Sequence, residues 1–347
     1  MKKLNKAWGV IIALCFMIET MVGCTTGGKN DKFYNEADSI QAVDGAGRSV
    51  SFPEPAKTVA TNWGGTVDPF LFALGMSDSI VAQNSKKRGI IDAMLPNYDN
   101  IPSIGAWSLD TEALAKVSAD VYIHSYTETK AFQSANKVGV RAIGIKTEGY
   151  DDIMFNLQML GKVFGVEERA DAVIAYYESI LDIVRENTKD IPEDQKKTVV
   201  IFGGDAGKVC RTSFEIELAG GINCADKLNA NGTDRWPEAG TETILSWNPD
   251  FIFPQNKYAA WNAKTILSDP AWKNANVVVN GNIYDIPCPF ESWININMSD
   301  CLAVLFMSMK MYPEAYADVD FEQVVVDYYQ FVYGLNVDWA FLNQDVN

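Results

Sequence analysis

One short pattern occurs twice in this chain. Thr111-Glu112-Ala113-Leu114 leads to Asp120-Val121-Tyr122-Ile123, and Thr241-Glu242-Thr243-Ile244 leads to Asp250-Phe251-Ile252-Phe253. In both copies nine positions separate the Thr from the Asp. That spacing accommodates a capped helix of about two turns feeding a short apolar strand. Recurrence at identical spacing points to an internal structural duplication, so the chain is expected to fold as two similarly built halves. Each copy also puts a Glu, Glu112 or Glu242, in the first turn of its helix, where a carboxylate is favoured by the helix dipole and stays exposed.

The N-terminus stands apart from this plan. Lys2, Lys3 and Lys6 precede an apolar run over residues 7–18 that is too short to span a bilayer, and Met21-Val22-Gly23-Cys24 closes the segment. Residues 1–23 therefore read as a signal peptide resembling that of a bacterial lipoprotein, with Cys24 as the lipidated residue. Acyl chains there would hold the protein on the outer face of the cell membrane, because each buried methylene contributes about 0.8 kcal/mol. Residues 24–40 begin polar and Gly-rich and read as a tether. The full chain carries a net charge of −16, and removal of the +2 segment 1–23 leaves −18, which argues against nucleic acid as a partner. Cys210, Cys224, Cys288 and Cys301 lie in the second half without a C-x-x-C pair, so a structural zinc site is not expected, while free thiols and a disulfide both stay open.

Further along, residues 43–50 read as a hairpin with a Gly-rich turn. Short β-branched runs at 58–61, 121–124 and 141–145 alternate with helical patterns at 68–74, 111–117 and 127–138. Alternation of this kind predicts a parallel sheet covered on both faces. Residues 150–190 are helical throughout, broken only at Gly165-Val166, and the second helix is long enough to act as a rod between the halves. Strands at 198–202, 250–253 and 283–286 and helices at 297–311 and 321–333 complete the second half. The predicted organisation is a first α/β lobe over 41–165, a connecting helix over 166–190 and a second α/β lobe over 191–347, with a monomer expected.

Several ordered motifs then carry a resemblance: Asp44-x-x-Gly-Arg48-x-Val50, Phe72-Ala-Leu-Gly75, Ile104-Gly105, Leu160-Gly-Lys-Val-Phe-Gly165, Ala219-Gly-Gly-Ile-Asn-Cys-Ala225 and Asn248-Pro-Asp250. Together they resemble the lipoprotein substrate-binding components of ABC importers for ferric siderophores, haem and cobalamin. The resemblance implies two Rossmann-like lobes with parallel sheets, joined by a single long helix, with ligand in the cleft between them. It also implies that Glu112 and Glu242, one on each lobe, pair with arginines of the membrane permease.

Parallel sheets carry their functional loops at the carboxyl ends of the strands. On those loops lie Trp63, Trp107, His124 and Tyr126 in the first half and Arg211, Trp236 and Trp293 in the second. The tryptophans offer flat apolar area and indole donors for a large chelate, and Arg211 could meet an anionic group. His124, the chain's one histidine, could ligate a haem iron or cobalt, with Met76 or Met94 as a second ligand. Lys86-Lys87-Arg88 form a basic cluster that could steer an anionic ligand. No G-x-S-x-G, H-E-x-x-H or P-loop is present, so no enzyme and no cofactor is expected. The expected ligand is a metal chelate, first a ferric siderophore and then cobalamin or haem. A chelatase-like enzyme or a surface adhesin on the same fold are the alternatives from other classes.

Overall fold

A computed structural model of the protein describes residues 39–84, 89–228 and 235–342. The expected signal segment, Cys24, nearly all of the expected tether and the Lys86-Lys87-Arg88 cluster lie outside the described residues. Among the described residues no helix is long and apolar enough to cross a membrane.

The first half opens on an antiparallel hairpin, β1 (Ile40–Val43) with β2 (Ser49–Phe52). It continues through β3 (Val59–Thr61), α1 (Gly64–Ala73), β4 (Ile80–Ala82), α2 (Ile90–Met94), α3 (Thr111–Lys116), β5 (Val121–Ser125), α4 (Thr129–Lys137), β6 (Arg141–Ile145) and α5 (Tyr150–Phe164). The 22-residue α6 (Glu167–Thr188) follows. The second half runs through β7 (Thr198–Phe202), α7 (Phe214–Leu218), β8 (Ile222–Asn223), α8 (Thr241–Trp247), β9 (Phe251–Pro254), α9 (Ala263–Ser268), α10 (Asn276–Val279), α11 (Asp300–Met311), α12 (Phe321–Tyr333) and α13 (Trp339–Leu342).

Both sheets are parallel and repeat one order. The first is β4-β3-β5-β6 and the second β8-β7-β9, extended by a single parallel bridge from Ile252 to Ile283. In each half the second strand therefore lies on one side of the first, and the third and fourth lie on the other. The repeated Asp has the same task in both. Asp120 Oδ2 accepts from the Thr58 amide at 2.9 Å and its hydroxyl at 3.0 Å, and Asp250 Oδ2 accepts from the Thr198 amide at 2.8 Å and its hydroxyl at 2.9 Å. The clamp pins β5 against β3 and β9 against β7 at their amino ends, which fixes the register of strands too short to fix it alone. Burial pushes the Asp120 carboxyl up, but the Lys57 and Thr58 donors outweigh it and hold the group below its ordinary value. Its contribution to stability is accordingly present at neutral pH and is lost as acid protonates it.

Four sequence expectations shift in detail. The caps of α3 and α8 are Asp110 and Gly240, with the repeated Thr one position inside; Asp110 accepts the Ala113 amide at 3.0 Å. Helix α1 begins at Gly64, earlier than residue 68, because Gly64, Gly65 and Pro69 mask a helix start in the sequence. Strands β4 and β8, three and two residues long, carry too little pattern to be legible. Residues 283–286 contribute only the Ile283 bridge, and α11 starts at Asp300 rather than 297.

Helix α6 packs on α5 on one side and α11 on the other, burying Val173, Tyr177, Ile180, Leu181 and Val184. A Cβ at Gly161 of α5 would lie 2.7 Å from the Ala170 Cβ, so the close crossing of α5 and α6 requires glycine. One apolar core runs from the β1–β2 hairpin through α5 and α6 to α11 and α12, touching the inner faces of both sheets. Separate clusters cover the outer faces. Arg169 of α6 binds two helix ends at once: its Nε donates to Ala73 O at 2.8 Å, closing α1, and its Nη2 to Phe331 O at 2.8 Å and Val332 O at 2.9 Å, closing α12. No disulfide joins any of Cys210, Cys224, Cys288 and Cys301.

Candidate functional site

The carboxyl ends of the two sheets face a cleft of about 1060 Å³. The first lobe supplies Asn62, Trp63, Asn84, Ile90, Ile91 and Trp107; the second supplies Gln255, Asn256, Tyr258 and the segment from Cys288 to Asn297. At one rim the lobes meet through backbone, where the Ile90 amide donates to Phe290 O at 3.0 Å. Gly89, at φ +55°, sits so close that a Cβ there would fall 1.9 Å from that same oxygen.

On the first wall, Trp63 and Trp107 stand edge to face with ring centroids 6.1 Å apart. The loop carrying Trp107 is tied down from three sides. Asn62 Nδ2 and Asn84 Nδ2 both donate to Ala106 O at 2.6 Å, and the Trp107 indole donates to Glu128 Oε1 at 3.1 Å. The third tie is His124, whose Nε2 donates to Trp107 O at 3.1 Å while its Nδ1 accepts the Ser125 amide.

His124 is fully buried and both ring nitrogens are engaged, so it is not available as an axial ligand. Burial lowers its pKa despite the Trp107 carbonyl, so the ring is neutral at physiological pH. It packs 4.7 Å from the Trp107 ring and 6.4 Å from Trp63, and thus supports the aromatic wall from behind. Met76 and Met94 pack against the core and do not line the cleft.

The second wall has no regular structure and is held by side-chain amides. Gln255 Nε2 donates to Asn295 Oδ1 at 3.0 Å and Asn297 Nδ2 to Ser292 O at 2.9 Å. Ile296, buried between them, adopts φ +54°, a strained conformation for a β-branched residue. Asp300 at the start of α11 holds that turn by accepting the amides on either side of it, Asn295 N at 3.2 Å and Asn297 N at 3.3 Å. The Glu215–Arg235 ion pair lies beside Asp300. Burial, reinforced by Glu215 and opposed by Arg235, pushes the Asp300 carboxyl well above its usual range.

Of the residues singled out in the sequence, Trp63 and Trp107 line the cleft, and the other five do not. Trp293 is fully buried and its indole donates to Tyr329 O–H at 2.9 Å, so it belongs to the core beneath the second wall. Trp236 packs over Gly203 and under Arg235. Arg211 lies near Asp226 in the body of the second lobe. Tyr126 donates to Glu148 on the first lobe. Glu112 and Glu242 are both exposed, each in the first turn of its matched helix.

Sequence reasoning missed Tyr258, 75% exposed, and Gln255, although both follow β9 as the favoured loop of a parallel strand. It also missed Glu291. Burial pushes that carboxyl up to about 7, against the Ser299 and Tyr333 hydroxyls that donate to it.

Residues 59–289 match the family described as periplasmic binding protein. The uncharacterized ABC transporter substrate-binding lipoprotein YvrC of Bacillus subtilis is 21% identical over 299 residues, covering 82% of this chain and 90% of that protein. A solved periplasmic solute-binding protein from Veillonella parvula superposes with a TM-score of 0.76 at 21% identity, over 88% of this chain and 96% of that one. The molybdate-binding protein MolA of Haemophilus influenzae, solved with molybdate bound, gives a TM-score of 0.71 at 20% identity, over 86% of this chain and 99% of that one.

Proposed function

Because this chain belongs to the periplasmic binding protein family, as a substrate-binding component of an ABC importer working outside the cytoplasm, we propose that it captures a bulky metal chelate of the ferric-siderophore class. The observation carrying this reading is that aromatic side chains of both lobes stand in solvent in one cleft. Trp107 is 50% exposed and Tyr258 is 75% exposed. Large aromatics left this open need a covering partner, and a ligand with extended flat or apolar faces provides it. A cleft of about 1060 Å³ lies at the upper end of small-molecule sites. A bare tetrahedral oxyanion would leave most of it empty.

The same amide-and-aromatic lining suits cobalamin, which is the second reading. Haem held through His124 is set aside, since that imidazole is spent on Trp107. Anchoring through Cys24 is part of the proposal and is supported by the lipoprotein signal and by the lipoprotein YvrC. On the same reading, the exposed Glu112 and Glu242 present the loaded receptor to the permease.

Titration of the purified protein with ferric hydroxamates, ferric catecholates, cobalamin, haem and molybdate, followed by tryptophan fluorescence, tests the assignment. Saturable quenching by a ferric chelate is the expected result, and binding of molybdate alone would refute it. Trp107→Ala and Tyr258→Ala should each weaken the responding chelate about tenfold or more. Because both side chains are half or more exposed, the unfolding midpoint should stay close to that of the unaltered protein.

A further inference from the structure

Among the described residues, Glu291 is the single ionisable carboxyl, and the single charged side chain of either sign, in the lining of the cleft. Its two oxygens differ. Oε1 accepts from the Ser299 hydroxyl and, at 2.9 Å, from the Tyr333 hydroxyl, whereas Oε2 is shielded from water and has no hydrogen-bond partner. A buried acceptor without a donor is unfavourable and is relieved either by taking a proton or by receiving an N–H group. Around it, α11 contributes Ser299 at its cap and Cys301, α12 contributes Tyr328, Tyr329 and Tyr333, and its own segment contributes Cys288; the first lobe meets this side of the cleft with Ile90 and Ile91. None of these groups is a cation, so no described side chain offsets a charge on Glu291.

We propose that Glu291 selects the ligand by charge, so that the cleft favours chelates carrying an ammonium over neutral and polyanionic ones. The inference rests on the chelate reading above and sharpens it. An ammonium in the cleft is attracted by Glu291, the one charged side chain of the described lining. A polyanionic chelate would instead bring like charge against an uncompensated carboxylate. The carboxyl's upward shift to about 7 adds a pH dependence: an ammonium-bearing chelate should bind more tightly at pH 8, where Glu291 is charged, than at pH 6, where it is neutral.

The probes are ferrioxamine B, which carries a free ammonium, its N-acetylated derivative, which does not, and ferric citrate, each titrated into the whole protein at pH 6 and pH 8. The unaltered protein should prefer ferrioxamine B over the acetylated form by about tenfold at pH 8, with a smaller gap at pH 6. Glu291→Gln, which retains an acceptor for Ser299 and Tyr333, should erase the pH dependence of ferrioxamine B binding and abolish the preference for it over the acetylated form. Equal affinity for the two ferrioxamines in the unaltered protein, or tighter binding of ferric citrate, would overturn the role of Glu291 while leaving the chelate reading in place. Failure of all three chelates to bind at either pH would overturn the chelate reading and this assignment with it. The comparison of ferrioxamines on the unaltered protein decides the matter even if the variant does not fold.

Discussion

Replacing Glu112 and Glu242 together with alanine is expected to abolish import in cells while leaving ligand affinity of the purified protein unchanged within about twofold. Both carboxylates are exposed and sit in the first turn of short helices, α3 and α8, that occupy equivalent places in the repeated lobes. Neither lines the cleft. Their removal therefore costs little in stability, because an exposed helix-start carboxylate contributes only about 0.3–1 kcal/mol. Docking is a different matter. If each lobe presents one acid to a cation on the permease, losing both removes the charge complementarity that aligns the two lobes over the translocation path. Single variants should retain partial uptake, and charge reversal at either position should be worse than alanine. Unchanged uptake by the double variant, measured at equal receptor abundance, would defeat the docking role.

Arg169→Met is expected to destabilise the protein by about 2–4 kcal/mol, read as a lowered denaturant midpoint. The guanidinium bonds three carbonyls in the last turns of α1 and α12 from its position on α6. It also lies 5.1 Å from the Phe331 ring. A cation at two helix carboxyl ends satisfies groups that have no intrahelical partner and is favoured by both dipoles. Methionine keeps much of the volume and leaves all three carbonyls without their donor. Lysine should recover only part of the loss, since a point charge cannot reproduce a fork that spans two helices. Ligand affinity in Arg169→Met should fall less than stability, because the cleft residues are held by their own amide network.

The duplicated plan was legible because the repeated Asp has one indispensable geometric task, clamping Thr58 in one sheet and Thr198 in the other, and a task of that kind leaves its residues at fixed spacing. The long α6 was legible because a 22-residue amphipathic face has few rivals. Trp63 and Trp107 were legible from their places in loops at the carboxyl side of the first sheet. What failed was the direction of single side chains. His124 is the penultimate residue of β5, a strand buried on both faces, so being at a strand end did not bring it into the cleft. Trp293 lies one residue from Ser292, which does line the cleft, yet it points into the core. The whole second wall, from Cys288 to Asn297, has neither helix nor strand, and its shape depends on Asp300 and on the left-handed turn at Ile296. No periodicity announces such a wall, and for the same reason Glu291 passed unnoticed.

The apolar interior that runs from the β1–β2 hairpin to α12 ties the fate of one lobe to that of the other. Heating should accordingly produce one endotherm, with calorimetric and van't Hoff enthalpies in agreement, rather than a step for each sheet. A receptor built this way has no half-melted state in which one arm keeps its grip while the other lets go. If the two acids dock the permease as proposed, cargo leaves while both lobes stay folded.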